Sequence, residues 1–113
     1  MIEVFQDYIL AARVEGQRHL TDTLMFFAEE FPQSEQKMYY GVATFFLEGQ
    51  MIVHIGAYKT HLGVCVGVAM VEQLKLKYPE YQYTEFTVKF AYNKALPFDM
   101  LEEICTNIKS GAF

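Results

Sequence analysis

Two groups of residues in this chain have the types and spacing for ligand chemistry. The first is Glu15, His19, Asp22 and Glu29, which fall at i, i+4, i+7 and i+14 and so form one stripe on a helix. Carboxylates with one imidazole are hard-to-borderline ligands, suited to iron(II), manganese or magnesium at an exposed surface. The same residues also make an ordinary solvated face, which every amphipathic helix needs. The second group is His54, Tyr58, His61 and Cys65, interleaved with Gly56 and Gly63 in the segment MIVHIGAYKTHLGVCVG.

Side-chain parity predicts how that second segment pairs. Val53, Ile55 and Ala57 must share a face with Leu62, Val64 and Val66, because a slip of one residue would put half of them in water. Pairing Tyr58 with His61 achieves this and leaves Lys59 and Thr60 at the turn. On the opposite face His54 then lies across from Cys65, and Gly56 across from Gly63. Each glycine costs roughly 0.5–1 kcal/mol relative to alanine in a strand, so a facing pair needs a reason. One reason is a helix side chain packed over them; the other is a shallow, ligand-sized depression walled by His54, Tyr58, His61 and Cys65. His and Cys directly opposed have Cβ atoms within roughly 5 Å, near enough to share a soft or borderline metal. Two ligands alone do not complete such a site.

Nothing in the chain resembles a catalytic signature: GxSxG, the P-loop, GxGxxG and HExxH are all missing. Cys105 falls on the apolar stripe of a helix and reads as core. Cys65 near His54 lacks an orienting group and oxyanion donors. The expectation is a protein that is not an enzyme and has no obligatory cofactor.

The elements that position these residues follow from periodicity. Ile2, Phe5, Ile9 and Ala12 predict a short first helix, interrupted at Val14 to Gly16. Leu20, Leu24, Phe27 and Phe31 line a second, which must stop near Pro32. Met38 to Tyr40 and Ala43 to Glu48 read as one extended segment, Gly49-Gln50 as a turn, Met51 to Lys59 and His61 to Val66 as strands. A helix from Val68 uses Val71, Leu74 and Tyr78 before Pro79. Glu85 to Ala91 alternates as a strand with Phe86, Val88 and Phe90 inward. Pro97 and Gly111 bracket a last helix buried through Leu101, Ile104, Cys105 and Ile108. The class is α+β: an antiparallel sheet of about four strands with helices packed on it, in the order α-α-β-β-β-α-β-α, as a single domain over residues 1–113.

Composition agrees. The apolar fraction is 52% and the aromatic fraction 16%, enough for a well-filled core. The net charge of −5 sits wholly on residues 1–35, where seven acids face Arg13 and Arg18; beyond them acids and bases balance. No lysine or arginine cluster is visible along the chain, so nucleic acid is not an expected partner, and cations suit the acidic segment better. No apolar run is long enough to cross a bilayer and no leader opens the chain, so no membrane is expected either. Two cysteines without a CxxC pair fit a reduced, cytoplasmic protein.

Several motifs, taken in order, resemble the YdhG-like family. They are Tyr40-Gly41, Phe45, Leu47-Glu48-Gly49-Gln50, Ala57-Tyr58-Lys59, His61-Leu62-Gly63, and Phe90 with Lys94-Ala95-Leu96-Pro97. The likeness runs from the second helix to residue 108; Ala43 stands where the family motif has proline. Tyr40 and Lys59, at the family's Tyr-Gly and Lys positions, join His54, Tyr58, His61 and Cys65 as candidate ligand-binding residues. The family includes a frataxin-like bacterial intracellular iron chaperone. The resemblance thus implies an acidic cytosolic carrier, for which the helical stripe Glu15, His19, Asp22 and Glu29 supplies the candidate metal ligands. Iron would be its cargo and an iron-acceptor protein its partner. The alternative expectation is a module that binds a small molecule or a protein on the glycine-floored face. Homodimerisation suits either.

Overall fold

The computed structural model describes residues 2–111. A 3-10 turn at Glu3–Phe5 leads into α1 (Gln6–Ala11), followed by α2 (Val14–Glu30). Four strands come next: β1 (Glu35–Tyr39), β2 (Val42–Leu47), β3 (Gln50–Ala57) and β4 (His61–Cys65). The chain closes with α3 (Val68–Lys77), β5 (Gln82–Tyr83), β6 (Thr87–Ala91) and α4 (Phe98–Ser110). All pairings are antiparallel, in the sheet order β1-β2-β3-β4-β6-β5.

The α+β class stands, but the sheet has six strands rather than about four. The expected single segment over 38–48 is a hairpin, because Tyr40 and Gly41 both adopt positive φ (51° and 78°) and reverse the chain. Glu48 and Gly49 do the same at 51° and 79°, so the second turn lies one residue earlier than Gly49-Gln50. Paired positive φ values are the geometry that matches strand twist in two-residue hairpins, and asparagine or aspartate is its usual first residue. Tyr40 and Glu48 fill that position here, which hides the turns from a sequence reading. β5 is two residues long and has no periodicity to find. Phe86 is half exposed and precedes its strand instead of pointing inward; its carbonyl accepts from Val66 and Gly67 N–H.

The break between α1 and α2 falls at Ala12-Arg13, not at Val14 to Gly16. Gln17 explains it: its amide donates to the Ala12 carbonyl at 2.9 Å and satisfies the end of α1. One cluster forms the core. Ala43, Phe45, Val53, Ile55, Leu62, Val64, Val88 and Phe90 from the sheet meet Ile9 of α1, Leu20, Leu24 and Phe27 of α2, Met70 and Leu74 of α3, and Met100, Leu101, Ile104 and Cys105 of α4. All four helices therefore cover the same face. The other face, with Thr44, His54, Gly56, His61, Gly63, Cys65, Thr87 and Lys89, contributes nothing to that cluster. No helix among the described residues is long and apolar enough to cross a membrane.

One buried polar atom stands out. Thr23 Oγ1, on α2, is buried without a hydrogen-bond partner among the described residues. An unsatisfied buried hydroxyl costs about 1–3 kcal/mol, whereas valine keeps the shape without the penalty. Thr23→Val should therefore raise stability by about 1 kcal/mol in urea unfolding; a loss of stability would show that the hydroxyl has a partner in solution.

Candidate functional site

The hairpin register is the one that parity requires: His54 pairs with Cys65, Ile55 with Val64, Gly56 with Gly63 and Ala57 with Leu62. Tyr58 N–H donates to the His61 carbonyl at 2.9 Å and closes the turn over Lys59 and Thr60. What covers the glycines is neither a helix nor an empty depression. It is the Tyr58 ring, folded back along its own strand. A Cβ on Gly56 would stand 2.7 Å from Tyr58 Oη, and one on Gly63 would stand 3.0 Å from Tyr58 Cε2. The glycines make room for the ring, and the ring shields their bare backbone. Tyr58 also stacks on His61 at 5.2 Å.

His54 is engaged by β2 and β1. Its Nδ1 shares a 2.7 Å hydrogen bond with the Thr44 hydroxyl, and its ring stacks on Tyr39 at 6.1 Å. Tyr40 sits at the β1–β2 turn, 87% exposed, with its ring against Tyr39. His54, Cys65 and Tyr40 are thus not gathered into one cavity. Lys59 and His61 are.

These two line an open cleft of about 880 Å³ at the Lys59–Thr60 end of the sheet. Its other walls are Lys89 and Ala91 of β6, the loop Tyr92 to Ala95, the Glu80 to Gln82 approach to β5, and Glu15 at the start of α2. The walls are tied together by hydrogen bonds. Tyr92 Oη donates to the Tyr58 carbonyl at 2.7 Å, and Tyr92 N–H donates to the Thr60 carbonyl at 3.2 Å. His19 Nε2 donates to the Lys94 carbonyl at 2.7 Å, which anchors the loop on α2. Gly16 gives Tyr92 its place: a Cβ there would overlap the ring at Cζ.

The charges of the cleft differ from those elsewhere. Arg13, Arg18, Lys37, Lys75, Lys77 and Lys109 each lie 2.8–3.9 Å from a carboxylate. Lys59, Lys89 and Lys94 have no such partner among the described residues, and all three line the cleft. Sequence reasoning found Lys59 and missed Lys89, Tyr92 and Lys94. Their convergence depends on β6 pairing with β4, which no local pattern announces.

The acidic stripe is divided among separate contacts. Glu15 pairs with Arg13 at 3.1 Å, Asp22 with Arg18 at 3.6 Å, and His19 with the Lys94 carbonyl; Glu29 is exposed. No group of three or more His, Cys, Asp or Glu among the described residues is placed to hold a metal ion. Cys105 is fully buried, and burial pushes its thiol up to about 12, so it is inert near neutral pH.

Both hairpin histidines resist protonation. Burial lowers the His54 pKa below the ordinary 6.5, and burial together with the Lys89 charge lowers that of His61. The unfolded chain then takes up protons before the folded one. Their contribution is complete above the unfolded value and is lost as pH falls through the folded values. Between about pH 7.5 and about pH 5.5 the parent Tm should fall further than that of a His54→Gln/His61→Gln variant. Equal falls would contradict the assignment.

No family model matches the chain, and no curated protein matches it. Among solved structures it is similar to a crystal structure of a protein from the DUF1801 family (YdhG) from Bacillus subtilis. The TM-score is 0.89 and the identity 20%, covering 99% of this chain and 94% of that one. The likeness is one of fold, and it is the fold that the YdhG-like motifs imply.

Proposed function

We propose that this protein is a small, non-catalytic binding module that holds a small organic molecule in the cleft beside the Lys59–Thr60 turn. The observation that carries the reading is the cleft itself. Its volume of about 880 Å³ falls in the range of about 300–1,000 Å³ typical of small-molecule sites. It has aromatic walls and convergent polar groups from four parts of the chain; hydrogen bonds through Tyr92 and His19 join three of them, and the pairing of Gln82 with Lys89 joins the fourth. His61, which lines it, stacks on Tyr58 and so connects it to the glycine-floored face. A cytosolic setting goes with the reading, since Cys65 and Cys105 are free thiols.

Thermal unfolding with a library of small organic molecules tests it. A ligand at about ten times its Kd should raise Tm by several degrees. The exposed Ala95 lines the cleft, so Ala95→Trp should abolish the rise without unfolding the protein. A library without effect, or shifts that survive in the variant, would contradict the site.

The second reading, an iron(II) carrier, draws on the acidic stripe and on the frataxin-like member of the family that the motifs resemble. The stripe serves it poorly, because two of its carboxylates already answer arginines and its imidazole holds a carbonyl. Anaerobic titration with iron(II) should give no saturable heat; a saturable isotherm that Asp22→Asn or Glu29→Gln weakens would restore the carrier.

A further inference from the structure

We infer that the molecule taken by this cleft is a small organic oxyanion, a carboxylate or phosphate, gripped by Lys59, Lys89 and Lys94. The inference rests on the binding-module reading and narrows it to a ligand class.

The pairing pattern argues for it. Every other lysine and arginine lies beside a carboxylate, yet among the described residues these three do not, although the chain carries five more acids than bases. They come from separate places: the β3–β4 turn, strand β6 and the loop before α4. No single helix face or sequence run put them together, only the closure of the sheet. Like charges around one cavity repel, and an oxyanion between them turns that repulsion into charge-assisted hydrogen bonds. Among the described residues two carboxylates share the lining with the three lysines, and one of them, Glu15, is paired with Arg13. His61 lies diagonally across from Lys89, two positions along the β4–β6 ladder, and adds an imidazole to the same wall. Tyr92 offers a ring for the organic part of the ligand. The site has the extent of a small molecule, and the acidic remainder of the chain repels a long polyanion.

The test is calorimetric titration of the whole protein with benzoate, its uncharged counterpart benzamide, phenyl phosphate and inorganic phosphate. Benzoate or phenyl phosphate should bind at least about tenfold more tightly than benzamide, with an affinity that falls as salt rises. Which of the two is tighter tells carboxylate from phosphate, and inorganic phosphate reports what the anion contributes without an organic body. Lys89→Gln and Lys94→Gln should each weaken the preferred anion about tenfold, while Lys37→Gln, whose lysine is paired on β1, should not. Benzamide binding as tightly as benzoate, insensitive to the lysines, would overturn the oxyanion assignment and leave the cleft a site for neutral molecules. Failure of all four probes, together with a silent library, would remove the cleft itself.

Discussion

Phe45→Ala should destabilise this protein by about 3–5 kcal/mol, the largest effect expected of any single side chain described above. Phe45 is fully buried at the middle of the core, with Phe5 at 5.7 Å and Phe27 at 6.1 Å between ring centroids. Removing it deletes the transfer free energy of a ring and leaves a cavity whose neighbours belong to three different elements. Beside it the β2–β3 register shifts: Phe45 lies opposite Val53 and Phe46 opposite Met51, which leaves Ile52 as the extra residue of a bulge on β3. Strand alternation sends Phe45 inward and leaves Phe46 on the other face with Lys37 and Tyr39. A domain of this size has about 5–15 kcal/mol in total, so the variant should be partly unfolded near body temperature. Urea unfolding measures it. A loss below about 1 kcal/mol would mean that the three rings do not form one cluster.

Gly16→Ala should also destabilise, by about 1–3 kcal/mol, and here the sign is the informative part. Inside a helix, alanine is ordinarily better than glycine by up to about 1 kcal/mol. Gly16 lies in the first turn of α2, so propensity alone predicts a small gain. The Tyr92 ring reverses this. A new Cβ would overlap it, and the ring is not free to swing, since Tyr92 Oη donates to the Tyr58 carbonyl and its edge meets His19 at 5.9 Å. Displacing it releases the turn that carries Lys59 and the loop that carries Lys94. The variant should therefore lose affinity for any cleft ligand as well as stability. Tyr92→Phe, which removes only the hydrogen bond, should cost about 1 kcal/mol. A stabilised Gly16→Ala protein would show that Tyr92 packs elsewhere.

The contrast with Gly56 shows how much of this was legible beforehand. The facing pair Gly56 and Gly63 could be read from parity, because six apolar side chains around them allow only one register. What fills the space above them could not, since Tyr58 reaches it by a rotamer choice that no periodicity encodes. Gly16 gave a weaker signal, a glycine near a helix start, and its partner Tyr92 stands far along the chain. The helices were readable from their apolar spacing and from Pro32, Pro79 and Gly111. The β1–β2 hairpin was not, because Tyr40 occupies a left-handed position that usually belongs to asparagine. The candidate site followed the same division. Lys59 and His61 belong to a local hairpin and were found; Lys89, Tyr92 and Lys94 join them only after β6 docks on β4. The acidic stripe looked like a ligand set because spacing reports faces, not partners, and Arg13 and Arg18 were already beside it.

Amide chemical-shift mapping during titration with benzoate tests the central claim most directly. The cleft predicts shifts concentrated at Lys59 to His61, Gln82 and Lys89 to Lys94, saturating together and absent when Lys89 is replaced by glutamine. Saturating shifts centred instead on Asp22 and Glu29, or spread evenly over the surface, would contradict it.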